Sequence, residues 1–370
     1  MMLWWQIYII IVMLSLALAL AFTPLCQKLA ELTGFLDIPD KQAHKKHAKA
    51  IPLLGGLAVF LSWAITIGFG YFAVRFLDIS AFAPTVSSNL PGIITVSNKI
   101  FFICAAAFLS LVLGLYDDRC NMRALTKLGG QFLIAAIAVS FGGVRITLFF
   151  NEPVITWCVT VFWFLLVINS INFFDNMDGL ATGVAAIALC FFTIVAGINQ
   201  QYFVAAMSAA GAGAAIGFWF YNHSPASIFL GDAGSHLLGY ILAVASASVT
   251  YYHSDVSTTH FPVLIPVFIL AIPLFDTAAV VMIRLYNRKP VYIGDHNHIS
   301  HRFVSMGMSR KKAVFLIHLL VLIIGLSVLP LLWGDERSAV VSIVQAATLL
   351  VFVSVLQYSS ISGKAKSRGE

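Results

Sequence analysis

The sequence predicts an all-α, polytopic integral membrane protein with about eleven transmembrane helices, its N-terminus outside and its C-terminus cytoplasmic. Three observations carry that prediction. Of 370 residues, 60% are hydrophobic and 10% charged, and the mean hydropathy is +0.91, far above that of soluble domains. Eleven apolar runs are of the length a helix needs to cross hydrocarbon with its backbone groups satisfied internally. The Lys and Arg residues then divide unevenly between the two sets of intervening loops, as they do when basic loops stay cytoplasmic. An ordinary soluble globule is excluded. So is a disordered chain, because Phe 30, Trp 7 and Tyr 11 must be buried in a core or in lipid.

The runs fall near residues 3–25, 51–74, 100–116, 128–142, 154–171, 180–198, 202–220, 234–252, 261–283, 313–333 and 338–358, the fourth being short. In the first, Ala17, Ala19 and Ala21 resemble a signal-peptide cleavage site, but no basic residue precedes it, so it is read as an uncleaved span. Numbering the spans in order puts 18 of the 22 Lys and Arg residues on one side, leaving Arg75, Lys99, Arg145 and Arg337 on the other. That bias also accounts for most of the net charge of +6, so nucleic acid is not expected as a partner. Cys26, Cys104, Cys120, Cys158 and Cys190 are scattered, with no metal-type spacing, and read as reduced structural thiols.

Ionisable groups next to hydrocarbon are costly unless paired or functional, so each carboxylate near a span needs a reason to be there. Asp117-Asp118 ends the third span beside Arg119; such a pair calls for a cation, but taken alone a solvated helix end beside Arg119 explains it without one. Asn172, Asp175 and Asp178 crowd the link between the fifth and sixth spans. If that link is helical, the two acids share a face and raise each other's pKa unless a cation or strong donors lie between them. Asp232, in Gly231-Asp232-Ala233-Gly234-Ser235, opens a helix. Its neighbouring glycines could let a phosphate or metal approach the backbone, or Asp232 could be a simple N-cap. The segment Asp295-His296-Asn297-His298-Ile299-Ser300-His301-Arg302 puts His298 and His301 on one helical face beside Arg302. Without cysteine or a zincin spacing it suits anion recognition better than zinc. Asp276 stands alone inside the ninth run, in a functional role or paired with a basic residue of a neighbouring span.

Hard carboxylate oxygens without thiolate suit Mg²⁺ or Mn²⁺, and Mg²⁺ commonly bridges one or two carboxylates to substrate phosphates. No P-loop and no dinucleotide fingerprint is present. What remains is metal-assisted transfer of a phosphoryl-containing group at the cytoplasmic membrane surface. A transporter is the alternative of a different class, but it would place its ionisable groups at the midplane of two related halves, and no internal repeat is seen.

The order Asp117-Asp118, Asn172-x-x-Asp175-x-x-Asp178-Gly179, Gly231-Asp232-x-Gly234-Ser235 and His298-x-x-His301-Arg302 resembles the polyprenyl-phosphate N-acetylhexosamine-1-phosphate transferase family, which includes the phospho-N-acetylmuramoyl-pentapeptide transferases. The likeness extends to His44-Lys45-Lys46 before Pro52-Leu53-Leu54-Gly55-Gly56, and to Lys127 with Gly130-Gln131, covering residues 37–312. It implies a Mg²⁺-dependent reaction in the bacterial cytoplasmic membrane, with the site on the cytoplasmic face. A polyprenyl phosphate attacks the sugar-linked phosphorus of a UDP-sugar, UMP leaves, and a lipid-diphosphate sugar for envelope polysaccharide remains.

The resemblance further implies that Asp232 and Asp118 hold the metal, that Asp117 and Asp118 are catalytic, with Asp117 a candidate base, and that Asn172, Asp175 and Asp178 take the nucleotide side. It assigns Lys127, His44 and Lys45 to phosphate and substrate binding, and His298, His301 and Arg302 to the diphosphate or sugar. Ser300 and Asn176 depart from the usual pattern, where histidine and glycine are common. The absence of a Pro-Leu-His-His-His-Phe segment favours the N-acetylhexosamine branch, N-acetylglucosamine above all, over the pentapeptide alternative. On this reading residues 1–358 are one transmembrane catalytic domain and 359–370 a short basic cytoplasmic tail. Its partners are the UDP-sugar, the polyprenyl phosphate and the bilayer, with a homodimer the oligomeric form to test.

Overall fold

The computed structural model of the chain describes residues 3–38, 50–76, 96–146, 152–251, 259–290 and 298–366, with side chains as far as 355. His44 and Lys45 lie outside the described residues, as does the segment 291–297 ahead of His298. The chain forms two compact units, Met1–Thr250 and Tyr251–Glu370.

The first unit holds α1 (Trp4–Thr33), β1 (Leu36–Asp37), β2 (Ile51–Pro52), α2 (Gly55–Phe76), α3 (Ser97–Cys120), α4 (Ala124–Ser140), α5 (Pro153–Phe174), α6 (Leu180–Ile198), α7 (Tyr202–Asn222) and α8 (Gly231–Ser248). The second holds α9 (Ile265–Ile269), α10 (Ala271–Tyr286), α11 (Ile299–Ser305), α12 (Arg310–Val328) and α13 (Glu336–Lys366). Each predicted apolar run overlaps a helix among the described residues. Among the described residues eight helices are long and apolar enough to span a membrane, and α4, with 17 residues, is shorter. The ninth run is not one straight span: Phe261–Ile269 and Ala271–Tyr286 meet at 72°. Pro273, in the first turn of α10, has no N–H to continue the ladder from Ile269, so the helix breaks where the apolar pattern alone reads as continuous. The five cysteines are free thiols.

In the first unit α8 is the central post, buried from Ala233 to Ala247 and packed against α2, α3, α5, α6 and α7. Lipid offers no hydrophobic force between helices, so close contact depends on small residues and on interhelical hydrogen bonds. Both occur here. Gly213 and Gly217 of α7 face the α1 backbone so closely that a Cβ would lie 2.3 Å from the Val12 carbonyl oxygen or 2.6 Å from that of Leu16. Tyr240 Oη donates to the Ile103 carbonyl at 3.0 Å, and Trp163 Nε1 to Ser246 Oγ at 2.8 Å, tying α8 to α3 and α5.

The N-terminal turn of α8 is reached by two backbone strands of contact. Phe229 N–H donates to the Pro52 carbonyl at 2.9 Å, and Gly55 and Gly56 N–H donate to the Phe229 and Leu230 carbonyls at 3.2 and 3.1 Å. Gly56 lies against Gly234, and Gly114 of α3 against Ala233, where a Cβ would approach backbone atoms to 2.4 Å in each case. The glycines around Asp232 therefore make room for helices. Gly114→Ala is expected to push α3 from α8, at a cost of about 1–3 kcal/mol. A lower midpoint of thermal unfolding in detergent, with activity lost in parallel, is the result to look for; an unchanged midpoint would show that the contact relaxes freely.

Candidate active site

The site is built where α3, α4, α5 and α8 end or begin. Asp118, in the last turn of α3, accepts the backbone N–H groups of Asp232 and Ala233 on its two oxygens at 2.8 and 3.0 Å. It is thus the anion at the N-terminus of α8, satisfying donors that the helix leaves unpaired. Of the two readings the sequence left open, Asp232 is not the N-cap, which falls at Leu230, and the N–H groups open to a phosphate or metal are taken by Asp118. Gly231 adopts φ +70°, and a Cβ there would lie 2.7 Å from Asp118 Oδ2, so the close approach of the carboxylate excludes a side chain.

With its helix terminus capped by Asp118, Asp232 is free to turn its own carboxylate sideways. Its Oδ1 accepts from Asn172 Nδ2 at the end of α5, and its Oδ2 lies 3.5 Å from Lys127 Nζ of α4. Lys127 joins the helices: its ammonium ion-pairs with Asp117 at 2.7 Å and donates to Asn172 Oδ1 at 3.0 Å. Asp117 is 5% exposed and also accepts the Met122 N–H at 2.7 Å. The adjacent acids therefore face different ways, Asp117 to Lys127 and Asp118 to the α8 terminus.

The link after α5 is a turn, not a helix, so the Asp175 and Asp178 pair does not rest on helical spacing. Asp178 Oδ2 accepts the Ala226 N–H at 3.2 Å. The turn is held by Asn222 at the end of α7, which accepts from Gly179 N–H at 3.1 Å and Thr182 Oγ1 at 2.9 Å and donates to the Ile228 carbonyl at 3.0 Å. Burial chiefly, and then Asp232, Asp118 and Asp178, push the Asp175 carboxyl up to about 8.

Asp37, Asp118, Asn172, Asp175, Asp178 and Asp232 line one cleft of about 390 Å³, with Leu53, Phe229 and Leu230 on its apolar wall. None of its described lining residues is basic. Asp37 was not singled out from sequence; the two-residue ladder of β1 with β2 carries it to the cleft, and the only signal was its place ahead of the basic loop. Asn222 was missed too, although a lone amide closing an apolar helix is a signal in retrospect.

Behind the cleft, Asp117, Asp232 and His236 present ligand atoms within 4.8 Å of one another. Lys127 already lies between the two acids, and Gln131 Nε2 sits 3.3 Å from His236 Nε2. Asn169 donates to Gln131 Oε1 at 2.7 Å, fixing that amide. Toward the cleft, Asp232 and Asp118 offer only hard carboxylate oxygens, the donor type that suits Mg²⁺.

In the second unit, His298 and His301 do share a face, their rings 6.4 Å apart. His298 Nδ1 lies 2.7 Å from Asp276 Oδ2, and Ile299 N–H donates to Asp276 Oδ1 at 2.6 Å. Asp276 is therefore paired with a histidine from the following segment. Arg302 follows one residue after His301 on α11.

Residues 100–250 match the family described as Glycosyl transferase family 4. That stretch contains every acid of the cleft except Asp37. The chain is 31% identical over 326 residues, 86% of its length and 83% of the relative's, to the probable undecaprenyl-phosphate N-acetylglucosaminyl 1-phosphate transferase of Bacillus subtilis. It is 28% identical over 339 residues, 84% and 79% of the two chains, to the decaprenyl-phosphate N-acetylglucosaminephosphotransferase of Mycolicibacterium smegmatis. With the phospho-N-acetylmuramoyl-pentapeptide-transferase of Lactobacillus gasseri it shares 29% identity over 265 residues, 64% and 76% of the two chains. A helical chain with apolar helices of spanning length and its acids gathered at one helix terminus, matched along most of its length, is a multi-pass membrane transferase of glycosyl transferase family 4, the polyprenyl-phosphate N-acetylhexosamine-1-phosphate transferases.

Proposed function

We propose that this chain transfers N-acetylglucosamine-1-phosphate from a UDP-sugar to a polyprenyl phosphate, undecaprenyl phosphate in the first instance, with release of UMP. The observation that carries the reading is the cleft walled by five aspartates with no basic residue among its described lining. Such a wall repels a diphosphate unless a cation intervenes, and hard carboxylate oxygens favour Mg²⁺, with Mn²⁺ as a substitute. N-acetylglucosamine is preferred because the relatives named for it match more of this chain than those named for the pentapeptide substrate.

Asp232 and Asp118 would hold the ion, which supplies neutralisation of the diphosphate charge when bound. The remaining work falls to the chain. Asn172 and Lys127 fix the Asp232 carboxylate, Asp118 fixes its backbone, and Asp175 and Asp178 face the nucleotide side. An oxygen of the lipid phosphate bonds to the sugar-linked phosphorus, the bond to the UMP oxygen breaks, and that oxygen leaves with the electron pair. Both oxygens are anionic near neutral pH, so no proton need move. Asp117 then acts by holding Lys127 and not as a base. His44 and Lys45 would meet phosphate, and His298, His301 and Arg302 the diphosphate or sugar. One catalytic domain of eleven spans, with the acids at the cytoplasmic face, agrees with the placement of the basic residues.

Detergent-purified protein with Mg²⁺, UDP-N-acetylglucosamine and undecaprenyl phosphate should release UMP; no metal-dependent UMP release from any of a broad panel of UDP-sugars would end the reading. The pH dependence follows from Asp175. Its carboxyl is raised from 3.8 to about 8 in the folded chain, so the fold keeps a proton that the unfolded chain loses. Without metal, this contribution to stability is present at low pH and is lost as pH rises from about 4 through about 8. A divalent ion favours the carboxylate, so Mg²⁺ binding at pH 7 should release a proton and should protect most at alkaline pH. Melting curves with and without Mg²⁺ across pH 5–9 check this; equal protection at all pH values would remove Asp175 from the ion's surroundings.

A further inference from the structure

We propose that Asp276 is a positioning residue for His298, fixing the ring's orientation and placing its proton on Nδ1 so that Nε2 is the one ring atom offered to substrate. The role deepens the proposed function, since it rests on His298 meeting the diphosphate or sugar.

Asp276 lies in an apolar helix, 2% exposed, where an unpaired carboxylate is costly. Its two oxygens are both used, and on adjacent residues: Oδ2 by His298 Nδ1 at 2.7 Å and Oδ1 by the Ile299 N–H at 2.6 Å. The second bond matters to the first. Ile299 opens α11 and its N–H can only donate, so it pins the carboxylate plane and the other oxygen is aimed at the imidazole. An ionised carboxylate only accepts, so the ring nitrogen facing it must carry the proton. His298, itself 5% exposed, is thereby held in one tautomer and one rotation. Asp276 caps α11 and orients His298 with the same group, the logic by which a carboxylate behind an imidazole sets the nitrogen in front. The apolar ninth run supplies the carboxylate, and the segment beyond it the histidine, 22 residues on.

Asp276→Asn separates the two tasks. The Ile299 N–H still demands an oxygen, so the amide oxygen stays at that position and the NH₂ turns to His298. Two donors cannot face each other, so the ring proton moves to Nε2 while the α11 cap is kept. The experiment is ¹⁵N NMR of the full-length protein labelled at histidine and recorded with the imidazole neutral, the His298 signals being those lost in His298→Gln. Wild type should show a protonated Nδ1 and an unprotonated Nε2, and Asp276→Asn the reverse. In UMP-release assays Asp276→Asn and His298→Gln should each lower turnover about 10- to 100-fold, and the double variant no further. A wild-type His298 protonated on Nε2, or losses that multiply in the double variant, overturns the proposal. Should Asp276→Asn fail to fold, the wild-type tautomer alone decides it. A wild type that shows the Nδ1–H tautomer but releases no UMP would count against the transferase reading and in favour of the positioning by Asp276.

Discussion

Asp232→Asn is expected to lower UMP release by roughly 10²- to 10³-fold, or more, while the protein stays folded. The two halves of that expectation have separate causes. Stability at the α8 terminus comes from Asp118, which accepts the Asp232 and Ala233 N–H groups whatever side chain stands at position 232. The amide oxygen of an introduced Asn can still accept from Asn172, as Asp232 Oδ1 does. What is lost is a full negative charge, 35% exposed at the cleft wall, and with it one of the two carboxylates proposed to hold the ion. Turnover and the thermal midpoint should be measured on the same preparation. Near-normal turnover would remove Asp232 from the metal, whereas a collapsed midpoint would mean that the side chain is a structural support.

Lys127→Met has the next largest expected effect, and it acts on stability as well as on turnover. Its ammonium is the cation 2.7 Å from Asp117, a carboxylate 5% exposed, and it also donates to Asn172 Oδ1. Removing one partner of a buried pair leaves the other charge without compensation, at a cost of about 3–5 kcal/mol. Part of that cost should return in the double variant Asp117→Asn with Lys127→Met, where no buried charge is left alone. Activity should not return, because Asn172 and Asp232 have lost the donor that orders them. If Lys127→Met melts like wild type, the pair is screened by solvent and the network joining α4 to α5 and α8 contributes little.

Much of this architecture was legible in the chain. The apolar runs located the helices because a span must satisfy its backbone internally and lipid-facing residues cannot be polar. Of the four polar patches read from sequence, three meet in the first unit together with Lys127, as Asp117, Asp118, Asn172, Asp175, Asp178 and Asp232, while the fourth, His298 to Arg302, belongs to the second. Their division of labour was not legible. That Asp118 caps α8 and Asp117 pairs with Lys127 depends on the rotation of one helix turn, which two adjacent letters do not specify. The glycines of the Gly231-Asp232-Ala233-Gly234 turn suggested room for a ligand, and only the packing of α2 and α3 against α8 shows that helices fill it. The break in the ninth run was hidden because proline is common in membrane helices and its consequence depends on its neighbours. Asp37 and Asn222 escaped notice because one arrives through a two-residue ladder and the other through a turn, neither of which has a periodicity to read.

The claim on which all of this depends is that the sugar and its attached phosphorus move together. A UDP-N-acetylglucosamine donor labelled with ³²P at the β-phosphate and ¹⁴C in the sugar, incubated with the protein, Mg²⁺ and undecaprenyl phosphate, tests it most directly. Both labels are expected in the extracted lipid in equal molar amounts, with UMP as the released nucleotide. Lipid carrying ¹⁴C without ³²P, with UDP released, would contradict the account, as would a lipid fraction that carries neither.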